Sequence, residues 1–258
     1  MSCDKTFKCS VADKRLRIVM GYKIGDLIAS GKTKLVYALD TPSLVLLRFK
    51  DDVTALDGRR RDTIAGKGAL NAAISAKLFQ VLREGGVENH FVEMLDESSM
   101  VVERLSMLPL EVVCRNVATG SIVKRLPIQE GVVFDPPIVE FFLKDDARGD
   151  PMLSEAHIVA LKLASRGEVD EMITATLKAN EVLKDFLSKR GLTLIDFKLE
   201  FGRKEGKLMV GDELDPDCMR IRDSETGRIL DKDLYRKGAS LEEVKSAYEE
   251  VYRRIVER

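Results

Sequence analysis

The sequence predicts a mixed α+β fold, strands first and helices mostly later, with a cleft near residues 105–110. Three observations predict it. Short aliphatic and β-branched runs dominate residues 34–117, apolar stripes at helical spacing appear in the 64–82, 168–190 and 240–255 regions, and no repeat or low-complexity tract interrupts the pattern. With 258 residues the chain has room for one large domain or two modest ones, and for a substantial core.

The first 22 residues are polar and weakly patterned, an arm or a loose first strand. KLVYAL (34–39) and LVLLRF (44–49), joined by Asp40-Thr41-Pro42-Ser43, read as a hairpin, and Asp57-Gly58 marks a turn. From Asp62 the period changes: Ile64, Leu70, Ile74, Leu78 and Leu82 sit at helical spacing until Gly85-Gly86 stops the run. FVEML (91–95) and MVVERL (100–105) read as strands, Met107-Leu108-Pro109-Leu110 as a break and hinge, and LEVVCRNV (110–117) as a strand ending at Thr119-Gly120-Ser121. Pro136-Pro137 precedes the strand IVEFFL (138–143).

Two helices come next. One starts at Ser154, a good N-cap with Glu155 in the first turn; the other runs from about Glu168 to Arg190 and stops at Gly191. The strand LTLIDFKLEF (192–201) leads into LMVGDEL (208–214). Ser240 with Glu243 forms a capping box for the last helix, whose stripe is Leu241, Val244, Tyr248, Val251 and Ile255.

Charge and composition narrow the function. Against 42 Lys+Arg stand 43 Asp+Glu, a net charge of −1, which argues against a coat for nucleic acid or anionic membrane. No apolar run reaches the ~18–20 residues of a membrane span, and the N-terminus lacks the apolar core of a secretory signal. Cys3, Cys9, Cys114 and Cys218 form no close pair, which suits free thiols in a cytoplasm. The only histidines are His90 and His157, so a three-His zinc site is excluded and catalysis falls to Lys, Arg, Asp and Glu. Charged residues make up 33% of the chain, which suits either dense surface ion pairing or a site handling several charged groups.

GDLIASGKT (25–33) is a near miss for a phosphate-binding P-loop. Its spacing is one residue too long and the next segment is strand-like, so it reads as a glycine turn feeding a strand that carries Lys32 and Lys34 on one face. Two ammonium groups there suit a triphosphate; alone, the pair reads as solvated edge-strand lysines. IDFKLEF (195–201) is the stronger signal. Alternation puts Ile195, Phe197, Leu199 and Phe201 on one face and Asp196, Lys198 and Glu200 on the other, and the next strand returns Asp212 and Glu213 beside them. Carboxylates on neighbouring strands with a lysine between them suit Mg²⁺ and phosphate better than a solvated face. Arg115 with the 119–121 turn suits a phosphate monoester, and Arg220 and Arg222 stand ready to join the acidic strand. Lys144, Asp145, Asp146 and Asp150 form an acidic turn for an amine or a second metal, although such a run alone is more often a solvated loop. Cys114 points into the core or packs between layers, and His157 packs or lies at the surface.

Gly31-Lys32-Thr33-Lys34, FKDDVTALDG (49–58), GKG (66–68), EVVCRNVATGS (111–121), FFLKDDARGDP (141–151), IDFKLEFG (195–202), GDELDPDCMR (211–220) and LDKDLYR (230–236) occur in that order. Together they resemble the SAICAR synthetase (phosphoribosylaminoimidazole-succinocarboxamide synthase) family over about residues 24–240. The resemblance implies a two-lobed α+β fold, distantly like kinases and ATP-grasp enzymes, with ATP in a cleft between a mostly antiparallel N-terminal sheet lobe and a larger C-terminal α+β lobe. The implied division is an arm at 1–22, an ATP lobe at 23–108 and a substrate- and metal-binding lobe at 109–258. The implied reaction joins L-aspartate to the carboxylate of carboxyaminoimidazole ribotide (CAIR), with ATP cleaved to ADP and phosphate.

By the same resemblance Lys32 and Lys34 touch the ATP phosphates, and Arg104, Leu105, Met107 and Glu111 belong to the nucleotide site. Glu200 and Asp212 hold Mg²⁺, and Lys198 lies near the reacting carboxylate. Arg115, Ser121, Asp196 and Arg220 grip the ribotide, while Lys144, Asp145, Asp146 and Asp150 shape the aspartate and second-metal side. A homodimer is implied too, with no nucleic acid or membrane partner. The chain departs from the family pattern at Asp215, where Ser is usual, and in its longer N-terminal arm. A small-molecule kinase and a non-catalytic nucleotide sensor are the alternatives; the sensor reading predicts loss of Lys198, Glu200 and Asp212, and all three are present.

Overall fold

In a computed structural model of the chain, residues 18–19, 21–55 and 60–257 are described. The expected Asp57-Gly58 turn and most of the expected arm lie outside them. An antiparallel sheet opens the fold: β1 (Ile18–Val19), β2 (Tyr22–Ser30), β3 (Lys34–Leu39), β4 (Leu44–Phe49), then β5 (Asp52–Ala55) and β6 (Arg60–Thr63) as a separate ribbon. After α1 (Lys67–Glu84), β7 (Phe91–Asp96) and β8 (Ser99–Glu103) complete this sheet in the order β1-β2-β3-β4-β8-β7. A second sheet begins with β9 (Ser106–Val117). It continues, past the short α2 (Ser121–Arg125), with β10 (Val133–Leu143) and β11 (Met152–Leu153). Then come α3 (Glu155–Ala160), α4 (Arg166–Ser188), β12 (Leu192–Lys204), β13 (Lys207–Gly211), β14 (Met219–Asp223), α5 (Asp233–Arg236) and α6 (Leu241–Ile255). The second sheet has the order β11-β10-β9-β12-β13, with β14 pairing the start of β12.

β4 is apolar along most of its length because both of its faces are covered. Val45, Leu47 and Phe49 join the main core with Ile74 and Leu78 of α1, whereas Leu46 packs with Leu39, Leu95 and Val101 behind the sheet. The main core runs on through Val112 of β9, Leu183 of α4 and Leu199 of β12, so one apolar layer underlies both sheets. The sheets are stitched together beside the future site: Val210 of β13 donates to the Glu88 carbonyl and accepts from the His90 amide.

Several expectations need correcting. Residues 60–63 form a strand and α1 starts only at Lys67, because Ile64 is drawn into a separate cluster with Val53, Tyr235, Val244 and Tyr248. Pro109 neither breaks nor hinges the chain; β9 runs through it. The β9–β12 ladder skips at that point, between the Glu111–Glu200 and Met107–Gly202 pairs, so the missing N–H breaks no ladder bond. The link between the sheets is instead Arg104-Leu105. Lys32 and Lys34 do not share a strand face, since residues 31–33 make the β2–β3 turn, closed by the Gly31 amide on the Lys34 carbonyl. In β12 a bulge between Leu194 and Asp196 shifts the phase, so Leu194 rather than Ile195 joins Phe197, Leu199 and Phe201 in the main core. The N-cap at Ser154 and the capping box at Ser240 are present, and the His157 ring turns the Ser154 cap into a box as well. A third, Ser165 with Glu168, starts α4.

Candidate active site

Three cavities that share walls run between the sheets. The first, of about 310 Å³, lies between Val36, Val45, Leu47 and Val102 of the first sheet and the Arg104–Met107 crossing. Glu200 of β12 and Asp212 just after β13 also line it, and glycine lets the β12–β13 hairpin approach the crossing closely: a Cβ on Gly202 would stand 2.6 Å from Leu105 Cβ, and one on Gly211 would stand 3.2 Å from Leu105 and from Met107. The second cavity, of about 910 Å³, is lined by Lys34, Lys144, Lys198, Glu200 and Asp212. The third, of about 650 Å³, is lined by Arg115, Ser121, Asp196, Lys198 and Arg220.

β12 supplies the junction. Its inward face carries Asp196, Lys198 and Glu200 because the opposite residues are spent on the core. Lys198 Nζ donates to Glu111 Oε1 at 3.0 Å and to Glu200 Oε1 at 2.8 Å, and Lys144 donates to Glu200 Oε2. Lys34 pairs with Asp212 and Glu213. Burial alone would depress the Lys198 pKa, but Glu200, Asp212 and Glu111 outweigh it and raise it well above the ordinary lysine value. Burial would likewise raise Asp212, yet Lys34, Lys198 and Lys144 carry it far below the carboxylate range. Both groups are therefore fixed charges rather than proton carriers.

The third cavity is built as a chain of alternating charges. Glu140 of β10 accepts from Arg115 Nε at 2.6 Å and from Arg125 at 2.7 Å. Arg115 also reaches Ser121 Oγ at 3.0 Å and Asp196 at 3.2 Å. Asp196 in turn accepts from Arg220 at 2.7 Å, and Arg220 donates to Asp233 at 2.8 Å. Burial raises the Asp196 pKa by more than Arg220 and Arg115 lower it. Gly120, with φ 66°, lets the Arg220 guanidinium lie against the turn before α2; a Cβ there would stand 2.6 Å from Nη2. Fixed guanidinium forks of this kind recognise a phosphate monoester.

The remaining sequence-derived candidates divide. Arg104, Leu105 and Met107 line the first cavity, whereas Glu111 lies between the second and third, on Lys198. Lys32 pairs with Asp146 at 2.8 Å across the mouth, and Asp150 lines the same cavity. Asp145 turns instead to Arg148 and caps the 146–148 turn. Arg222 pairs with Asp231 and reaches Asp233 at 3.7 Å, rather than a carboxylate of the acidic strand. Cys114 is buried in the core.

Sequence reasoning missed Arg236, which lines the third cavity, and Asp217 and Lys232, which line both the second and the third. LDKDLYR held a signal, since residues four apart share a helix face. Asp217 is held by Lys67 Nζ at 2.5 Å and Tyr248 OH at 2.7 Å. Those partners are too distant in sequence to be found by spacing.

Comparison with known proteins gives the family. A sequence model described as SAICAR synthetase matches residues 27–255. The chain belongs to the SAICAR synthetase family. Among curated relatives, the phosphoribosylaminoimidazole-succinocarboxamide synthase of Sulfurisphaera tokodaii is 58% identical over 230 residues, spanning 89% of this chain and 98% of its own. The solved synthase of Ehrlichia chaffeensis superposes with a TM-score of 0.86 at 36% identity, covering 89% of this chain and 98% of that one. A SAICAR synthetase solved in complex with ADP gives a TM-score of 0.84 at 42% identity, covering 89% and 97%. The two-lobed α+β reading is thereby met.

Proposed function

We propose that the chain joins L-aspartate to the carboxylate of CAIR at the expense of ATP, through an acyl phosphate, as its family membership supports. The observation that carries the residue-level reading is Lys198, held between Glu111 and Glu200 where the lysine-lined second cavity and the arginine-lined third cavity meet. The adenine lies in the first cavity along Arg104–Met107, and its phosphates point toward Lys34 and Lys144. The ribotide phosphate sits among Arg115, Ser121 and Arg220, with Lys232 and Arg236 beside it and Asp196 fixing two of the arginines. L-aspartate enters past Asp146 and Asp150, with Lys32 at the mouth.

A carboxylate is a poor electrophile toward an amine, so it must first be activated. One CAIR carboxylate oxygen bonds to the γ-phosphorus as the β–γ bridging bond breaks and ADP leaves. The aspartate amine then attacks the acyl carbon, and phosphate departs with that carboxylate oxygen. Lys198 and Lys34 neutralise the crowded anions, and the protein contributes mainly position and fixed charge. Closing the lobes excludes the water that would hydrolyse the acyl phosphate.

Glu200 and Asp212 fit Mg²⁺: both offer hard carboxylate oxygens to one cavity, where Lys144 and Lys34 pair with them. Mg²⁺ binds through one or two carboxylates with phosphate oxygens completing its shell. When bound it supplies neutralisation of the phosphate charge. Cytoplasmic residence and a homodimer belong to the same proposal; no helix among the described residues is long and apolar enough to cross a membrane.

The test is ADP release with Mg-ATP, run with CAIR plus L-aspartate and with each omitted. ADP should appear only with both, together with a product of the mass of the aspartate amide. A stable phosphorylated product formed without aspartate would mean a kinase instead.

A further inference from the structure

We propose that His90 is a positioning residue that holds the Asp212 main chain and so aims the Asp212 carboxylate. The inference rests on the reading of Asp212 as a carboxylate serving the nucleotide phosphates. Asp212 follows Gly211 at the end of β13 and has φ 68°, a left-handed backbone that is uncommon outside glycine, although aspartate tolerates it better than most residues, so its main chain sits in a sparsely populated conformation. Its side chain is engaged by Lys34. Its carbonyl oxygen lies 3.0 Å from His90 Nε2. A carbonyl only accepts, so Nε2 carries the proton and the ring is the donor.

The ring is well placed to hold something still. His90 is 3% exposed and meets Phe79 of α1 edge-on, with centroids 5.2 Å apart. Its own amide donates to the Val210 carbonyl at 3.0 Å, and its carbonyl accepts from the Glu103 amide at 2.7 Å. One residue thus ties together β13, which delivers Asp212, and the end of β8, where the crossing of the nucleotide cavity begins. The proposed chemistry has no other use for a histidine. Its role is to keep the strained carboxylate in register with the cavity wall it also lines.

Side-chain geometry supplies the test. Glutamine can place its amide nitrogen where Nε2 stands and still donate. Phenylalanine fills the ring space without a donor, and the asparagine amide falls short. ADP binding is measured by calorimetry with and without Mg²⁺ for the parent, His90→Gln, His90→Phe, His90→Asn and Asp212→Asn, alongside kcat. His90→Gln should keep the gain in ADP affinity that Mg²⁺ provides. His90→Phe should lose about tenfold of that gain and about 10–100-fold in kcat, with metal-free ADP affinity unchanged. Should the Phe variant not fold, His90→Asn must show the same loss. The proposal is overturned if His90→Phe, or His90→Asn in its place, behaves like the parent, or if His90→Gln is as impaired as His90→Phe, since the ring would then act only by packing on Phe79. Asp212→Asn separates the two readings: if it keeps the Mg²⁺ gain, the Asp212 assignment itself fails and the role of His90 falls with it.

Discussion

Glu200 receives two ammonium groups at once, Lys198 on one oxygen and Lys144 on the other, while itself 3% exposed. A carboxylate so placed sets the spacing of every cation around it. Glu200→Ala should therefore lower kcat about 100-fold or more with the thermal midpoint little changed. Turnover with Mg²⁺ near the parent's would mean that the carboxylate assignment is wrong. Asp215 behaves differently. Its Oδ1 accepts from the Asp217 amide, its Oδ2 is buried without a partner, and burial together with the Asp217 charge pushes its pKa up to about 7 despite Lys67. The folded protein then holds a proton that the unfolded chain releases at about 3.9. This contribution is complete below the unfolded value and is lost as pH rises through about 7. Asp215→Asn should thus gain stability relative to the parent as pH rises from about 4 to about 8, read as the difference in urea midpoint; a difference that stays flat with pH would contradict it. At this scale Asp196, Lys198 and Glu200 were legible because a period of two has one apolar face to spend. Lys67 and Asp217 were not, because 150 residues separate the partners.

The helices show where local signals suffice and where they do not. Ser240 and Ser154 announce their helices, since a capping box is written within four residues. Apolar spacing alone places the start of α4 a little late, at Glu168, because that residue is part of the cap with Ser165 and has a second task. It accepts from Arg203 of β12, pinning the first turn of α4 to the far end of the strand that carries the site. Arg203 and the Ser165 amide lower the Glu168 pKa to about 2. The stabilisation is therefore present above the unfolded value of about 4.3 and disappears as pH falls toward 2. Glu168→Gln should lower the thermal midpoint at pH 7, with the gap to the parent closing as pH falls through that window. A gap that persists unchanged at the acid end would show that packing, not charge, is lost. The short elements were the hard ones. α5 has four residues and β5 and β6 four each, too few for any period to emerge. Pro109 misleads because its tolerance depends on a ladder skip set by β12, some ninety residues away.

At the scale of the molecule, two sheets back onto one apolar core and leave a polar seam between them. The α+β class and the cleft near residues 105–110 were legible from the order of elements, and the motif set pointed to the same family that the comparisons show. The seam's inner geometry was not. Pairing Arg115 with Asp196, or Lys34 with Asp212, needs the strand order, and no spacing in the sequence encodes which strands far apart in the chain become neighbours. That geometry puts Lys198 between the second and third cavities, and Glu200 between the first and second, so the proposed nucleotide and ribotide ends are joined through one lysine- and carboxylate-lined space. The most direct measurement is the fate of the carboxylate oxygen. With CAIR labelled with ¹⁸O in its carboxylate, turnover with ATP and L-aspartate should deliver one labelled oxygen to the inorganic phosphate. Phosphate free of label would contradict activation through an acyl phosphate at this junction.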